Sequence, residues 1–333
     1  MTDSRAAFRL GLAPVLLLGF NIASGNPLPF LAPSLAVTLL VASRRRPPLR
    51  NLAAALVLVV GLTWSLDHLF ALVSDSPISA WLVFLALTTA AFARLAQRPG
   101  NMPAMLTLIC ASIVVVIRHW AQGLDLSVTS VMGWAVVQAI VATLLAHAVL
   151  PSVTPAVAAP RPGSIGQGDI LQVFGRSIAL LGALGFALLQ EDNSAILVAL
   201  TAVNILALPA WSAAQRQGHA LLIGNAVAAA MIVPLIMVAA LRPDLVLLVL
   251  LALAAALWMA KGLDGDGTRR VIAQAGLPVF VILLGVVLPK AGDTALPVLT
   301  DRLLTLGLVM LYAIAVLALL TPRPAEALPS PSA

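Results

Sequence analysis

Long apolar runs broken by short polar clusters fill the chain. A helix that crosses a bilayer needs about 20 mostly apolar residues. Twelve stretches meet or approach that length: 8–24, 27–43, 51–73, 79–96, 102–121, 127–150, 170–190, 194–211, 219–241, 244–260, 270–289 and 302–320. Of these, 27–43 and 244–260 are short for separate spans. Turn-forming clusters separate the runs: Ser-Gly-Asn-Pro at 24–27, Arg-Pro-Gly-Asn at 98–101, Glu-Asp-Asn at 191–193 and Asp-Gly-Asp-Gly at 264–267. The pattern predicts an all-α polytopic membrane protein with about twelve transmembrane helices.

Composition narrows the class further. Hydrophobic residues make up 61% of the 333 and charged residues 10%, against about 45–50% and 25% in soluble domains. With a mean hydropathy of +1.05, there is too little polar surface to cover a water-soluble globule. A soluble enzyme, a nucleic-acid module and a disordered chain are excluded. The net charge of +6 and isoelectric point near 10.9 therefore read as loop charges beside a membrane, not as a nucleic-acid surface. The single cysteine, Cys110, allows neither an internal disulfide nor a cysteine-rich metal site.

Lys and Arg then predict orientation. With the amino terminus inside, the inner side collects Arg5, Arg9, Arg44, Arg45, Arg46, Arg50, Arg94, Arg98, Arg161, Arg176, Arg216, Lys261, Arg269, Arg270 and Arg323, which is 15 of the 19. The outer ends keep Arg118, Arg242, Lys290 and Arg302, which is 4. Both termini are expected in the cytoplasm of a bacterium, with the chain in its inner membrane. Trp81 and Trp120 fall near outer ends, Trp211 and Trp258 near inner ends, as interfacial rings prefer. Arg5 and Arg9 ahead of an apolar run also fit a cleaved leader, but removing it would leave eleven spans and spoil the alternation.

A shift of 167 brings landmarks into coincidence: Arg9 onto Arg176, Asn26 onto Asn193, Arg94 onto Lys261. The apolar runs fall in register as well. Six spans per half is an even number, so the halves would share one orientation about an axis along the membrane normal. The expected organisation is a first six-helix repeat over 1–150, a Pro/Gly/Ala-rich cytoplasmic linker over 151–168, and a second repeat with a short tail over 169–333.

The stretch PLPFLAPSLAVTLLVA at 27–42, following the Arg-led FRLGLAP, resembles a bacterial membrane family of undefined function related to the fusaric acid resistance and aromatic acid exporter superfamily. GRSIALLGALGF and NSAILVALTAVNILALPAW resemble the same module again in the second half. The resemblance implies efflux of small organic, often aromatic, acids, usually with a periplasmic adaptor subunit of the membrane-fusion type. Larger exporters of that superfamily carry a sizeable cytoplasmic domain between their halves, where this chain has only the linker.

Ionisable groups inside a span are costly and mark candidate functional positions. Asp67 and His68 lie about 16 residues past the inner start of the third span, roughly 24 Å up at 1.5 Å per residue. Arg118 and His119 lie equally far along the fifth. At that shared depth an Asp67–Arg118 ion pair would lower the cost of each charge, and the histidines could titrate near neutral pH. The alternative is that all four end their helices at the head groups, beside Trp64 and Trp120. Their counterparts under the shift are Pro234, Leu235, Gly285 and Val286, so the constellation belongs to one half.

Arg9 and Arg176 stand near the inner ends of equivalent helices, either snorkelling to the interface or flanking an anion path. Asn204 and Gln138 lie mid-span, where an amide needs a partner, through helix–helix hydrogen bonding or substrate contact. Pro33 and Pro234 are expected to bend their helices.

Enzyme signatures are weak. Gly-Ser-Ile-Gly-Gln-Gly-Asp at 163–169 lacks the Gly-Lys-Ser/Thr of a P-loop, and the Asp-Gly-Asp-Gly cluster lacks the other ligands of a calcium loop. The four histidines fall at both ends of the bundle, which excludes a four-histidine metal site. No Gly-x-Ser-x-Gly element is present. No cofactor or metal is expected, and nucleic acid is not a partner. The leading expectation is a proton-linked secondary transporter of small amphipathic anions. The alternatives are a non-transporting scaffold subunit and an intramembrane transferase. A homo-oligomer is compatible with the sequence.

Overall fold

The computed structural model describes residues 4–42, 47–73, 76–98, 101–120, 127–151, 170–189, 195–208, 211–241, 244–265, 267–290 and 295–320. Each predicted span becomes one α-helix. The first six are α1 (Ser4–Ala23), α2 (Leu31–Ala42), α3 (Leu49–Leu72), α4 (Pro77–Gln97), α5 (Met102–Trp120) and α6 (Val128–Val149). The others are α7 (Ile170–Leu188), α8 (Ala195–Leu206), α9 (Trp211–Ala240), α10 (Leu245–Lys261), α11 (Thr268–Val287) and α12 (Ala295–Leu320). No strand occurs among the described residues. Among the described residues, eight helices are long and apolar enough to cross a membrane, and the chain is a multi-pass helical membrane protein.

Polar clusters set several helix starts. The Ser76 hydroxyl accepts from the Ser79 amide ahead of Pro77 at 3.3 Å, Asn101 Oδ1 accepts from the Ala104 amide at 3.3 Å, and Ser127 accepts from the Ser130 amide at 3.4 Å. Each supplies an acceptor to one of the orphan donors of a first turn.

The boundaries depart from the apolar runs in three places. α2 starts at Leu31, not Pro27. At 12 residues it is about 18 Å long, short of a roughly 30 Å core. α8, also 12 residues, is its match. The segment before α2 is irregular yet enclosed, with Leu28 and Phe30 buried, which a membrane tolerates only where protein covers the backbone. A small network holds that turn. Asn26 Nδ2 donates to Asn21 Oδ1 (2.8 Å) and the Leu28 amide to Asn26 Oδ1 (3.0 Å), while Asn21 Nδ2 donates to Leu17 O (2.9 Å). Gly25 supplies the positive φ of +68°. Elsewhere, α9 begins eight residues early through the polar Gln215–His219 stretch, and α12 begins seven residues early, which takes Asp301 and Arg302 inside a helix.

Pro33 falls in the first turn of α2, where its missing N–H has no intrahelical acceptor to lose. It therefore does not act as an interior bend. Pro14, Pro234 and Pro278 are the interior prolines.

Within 1–150, α2 packs on α1 and α6, α3 on α5 and α6, α4 on α5, and α1 on α6. Within 170–320, α8 packs on α7 and α12, α9 on α11 and α12, α10 on α11, and α7 on α12. Between the two groups, α1 meets α10, α4 meets α7, α2 meets α11 and α5 meets α8. α11 is the most enclosed long helix, with every residue from Val279 to Val287 buried. Small residues permit the closest approaches. A Cβ on Gly11 or Gly19 would lie 2.8 Å from Leu257 or Val249 of α10, and one on Gly285 would lie 2.7 Å from Phe30.

Candidate functional site

Asp67 on α3 and Arg118 on α5 meet across the contact of their helices. Arg118 Nε lies 3.3 Å from Asp67 Oδ1, and its NH1 donates to the Asp67 carbonyl oxygen at 3.0 Å. One guanidinium thus grips both the side chain and the backbone of a single residue, a two-point attachment that the planar fork of Arg favours. The side chains are 33% and 19% exposed. Breaking the pair therefore falls between the small cost of a surface ion pair and the several kcal/mol of a buried one, roughly 1–3 kcal/mol.

The histidines do not join this pair. His68 Nδ1 sits 2.9 Å from the Trp64 carbonyl oxygen one turn back. A carbonyl only accepts, so Nδ1 carries the proton. The ring packs against Trp64 with 4.3 Å between centroids and the planes tilted by 41°. Both His68 and His119 are exposed.

Arg9 and Gln138 come together on a groove between α1 and α6. Arg9, 2% exposed, donates from NH1 to Leu150 O at 3.0 Å, just beyond the last residue of α6. A cation there answers the negative end of the helix dipole and one of its unsatisfied carbonyls. The groove, of about 490 Å³, runs from Arg9 and Leu150 past Leu16 and Leu145 to Phe20 and Trp134, with Gln138 among its lining residues. Gln138 Oε1 is buried with no hydrogen-bond partner.

Arg176 on α7 is 8% exposed and its Nε has no partner. The neighbouring Gly175 gives way to Leu320, the last residue of α12, at 2.6 Å from where a Cβ would stand. Arg9 thus lies beside the carboxyl end of α6, and Gly175, next to Arg176, beside that of α12. Their Asn26–Asn193 companion match cannot be compared, because Asn193 lies outside the described residues. Asn204 is exposed on the otherwise largely buried α8. A second cavity, of about 940 Å³, opens between α4 and α7 along Leu82, Thr89, Gln97 and Phe174.

Three polar residues escaped the sequence reasoning. His147 is 4% exposed, with Nδ1 on the Thr143 carbonyl oxygen at 2.9 Å and Nε2 unpartnered. Its signal was Thr143 four residues earlier on the same face. Arg302 is 5% exposed, with NH1 3.8 Å from Asp301. The apolar run 295–299 ahead of that charge pair placed it inside a helix. Trp134 lines the groove, 61% exposed, and nothing in the spacing distinguished it from a lipid-facing ring. Among the described residues no group of three or more His, Cys, Asp or Glu is placed to hold a metal ion. No family model matches the chain, and no curated protein or solved structure is significantly similar to it.

Proposed function

We propose that the chain is a proton-linked secondary transporter of the bacterial inner membrane that exports small aromatic or amphipathic organic anions. The observation that carries this reading is the Asp67–Arg118 pair. A titratable carboxylate holds a guanidinium across two membrane helices, so Asp67 and a substrate anion compete for the same guanidinium. When Asp67 takes a proton, its attraction for Arg118 falls. The guanidinium can then accept a substrate carboxylate, and deprotonation of Asp67 restores the pair and expels the anion.

Helix packing supports the transporter class. Under the 167-residue shift, α1–α6 correspond to α7–α12, and every contact named within the first group recurs within the second, where α9 additionally packs on α8 and α10. The contacts between groups come in matched pairs as well: α1–α10 with α7–α4, and α2–α11 with α8–α5. This correspondence supports the reading of two six-helix repeats sharing one orientation. The two short helices, α2 and α8, occupy equivalent positions on that interface, as interrupted helices do around transport sites. Arg118 has Gly285 as its counterpart under the shift, and Gly285 receives Phe30 from the segment just before the short α2.

The pairs also differ in a way that suits gating. α9 and α11 touch backbone to backbone at Gly224 and Gly276, while α3 and α5 are tied by a breakable ion pair. The 15-to-4 distribution of basic residues supports cytoplasmic termini, and the implied adaptor would engage the periplasmic side. The reading is tested by growth of deletion and overexpression strains on a panel of aromatic acids, drugs and dyes. Overexpression is expected to raise tolerance of anionic aromatics specifically. Unchanged tolerance across the panel, with the protein present in the membrane, would contradict it.

A further inference from the structure

We infer that the α1–α6 groove binds an uncharged phenol, with the ring against Phe20 and Trp134 and the hydroxyl on the Gln138 amide. The inference goes beyond the transport reading and needs neither Asp67 nor Arg118. The groove has a volume of about 490 Å³, within the roughly 300–1,000 Å³ of small-molecule sites, which set a few polar groups in an apolar lining. Leu, Ala, Val and aromatic side chains make up this lining apart from Arg9 and Gln138. Arg9 is 2% exposed and engaged by Leu150 O, so it offers no open charge to a ligand. The apolar walls select against an ion, which would lose its hydration here without compensation. A carboxylic acid, with a pKa near 4, is ionised at neutral pH, whereas a phenol, with a pKa near 10, keeps its proton.

The amide and the two rings meet at one level. From the Arg9–Leu150 contact, Phe20 lies eleven residues along α1 and Gln138 twelve residues back along α6, which is about 17 and 18 Å of rise. Trp134 stands four residues before Gln138, on the same face of α6 and one turn away. Both rings are 61% exposed, so their faces are open to the bilayer from which an uncharged aromatic arrives. A phenol ring resting on Trp134 spans the roughly 6 Å of that turn and brings its hydroxyl to Gln138. Gln138 Oε1 is buried with no hydrogen-bond partner, an unfavourable state for an amide oxygen that a hydroxyl donor relieves. The last torsion of Gln is broad, so turning the amide is enough to present the oxygen to the groove.

Trp134 is a built-in reporter. With the other five of the six tryptophans replaced by Phe, the full-length protein is reconstituted in phosphatidylcholine vesicles. It is titrated at neutral pH with para-bromophenol, para-bromoanisole or para-bromobenzoate. The bromine quenches the indole on contact, and the anisole differs from the phenol in lacking the hydroxyl proton. At equal concentration in the membrane, para-bromophenol should quench Trp134 saturably and bind about five- to tenfold more tightly than para-bromoanisole. That is the ratio carried by one buried hydrogen bond and the group left unsatisfied without it. Gln138→Leu should remove the preference, and para-bromobenzoate should give no saturable quenching. Ala142→Phe fills the groove wall one turn from Gln138 and should abolish saturation by the phenol with the amide still in place. Equal affinity for phenol and anisole in the parent, a preference unchanged in Gln138→Leu, or saturable quenching by para-bromobenzoate would each overturn the inference. Saturation that persists in Ala142→Phe would do the same, since the ligand would then lie outside the groove.

Discussion

Gly224→Ala tests whether α9 and α11 truly meet backbone to backbone. The added Cβ would lie 2.9 Å from the Gly276 amide nitrogen and 3.1 Å from both Gly276 Cα and Ile272 O. All three are main-chain atoms, so no rotamer change relieves the contact. Restoring an ordinary separation of 3.4 Å or more parts the helices by about 0.5 Å along a tightly packed seam. Overpacking of this kind costs about 1–3 kcal/mol, offset by up to about 1 kcal/mol of helix propensity gained over Gly. A net loss of about 1–2 kcal/mol corresponds to a fall in Tm of roughly 2–8 °C. Gly61→Ala and Gly307→Ala are the controls, since a Cβ at either position meets nothing within 4 Å, and both should match or exceed the parent. The assay is thermal unfolding of the purified protein in one detergent, followed by loss of the monodisperse peak on size exclusion. A Tm for Gly224→Ala equal to that of Gly61→Ala would refute the backbone contact.

Three further outcomes are expected. Reporter fusions after Ala333 and within 151–168 should be active only in the cytoplasm, and a periplasmic signal from either would break the proposed twelve-span orientation. Cys110, 1% exposed on α5, should resist a membrane-permeant maleimide in the folded protein and react on denaturation. Rapid labelling in the native state would mean that the α5 core opens to reagent. Arg118→Ala should lower stability by roughly 1–3 kcal/mol and Asp67→Asn by less, since the Asn still offers Arg118 its backbone carbonyl. Equal Tm values for parent and Arg118→Ala would show that the pair contributes nothing to the packing of α3 on α5.

Helix number and order were legible because each apolar run ends in a polar or turn-forming cluster, several of which cap the next helix directly. Helix ends were less so. Pro27-Leu28-Pro29-Phe30 is apolar enough to extend a span, but apolarity alone does not distinguish a helix from enclosed irregular chain, and α2 starts only at Leu31. At α9 the error ran the other way. Gln215-Arg216-Gln217 is polar yet helix-forming, so the helix outruns the hydrophobic stretch. The Asp67–Arg118 contact could be read from depth matching on two helices, because equal rise from equal starts places both at one level. The α1–α6 groove could not. It depends on which faces of two helices far apart in the chain, α1 and α6, turn toward each other, and no periodicity within either helix carries that. Gln138 illustrates the difference: the sequence marked its amide as needing a partner, while the structure leaves Oε1 without one.

The central claim is that Asp67 and Arg118 couple a proton to an anion, and its most direct measurement is substrate efflux from vesicles under an imposed pH gradient. Purified protein would be reconstituted, loaded with an aromatic acid that the growth panel identifies, and followed with and without the gradient. Parent protein should move the anion only when the gradient is present. Asp67→Asn should insert normally and lose gradient dependence, and Arg118→Ala should lose transport altogether. If both variants export at the parent rate, the pair is no more than a tie between two helix ends and the proposed mechanism is wrong.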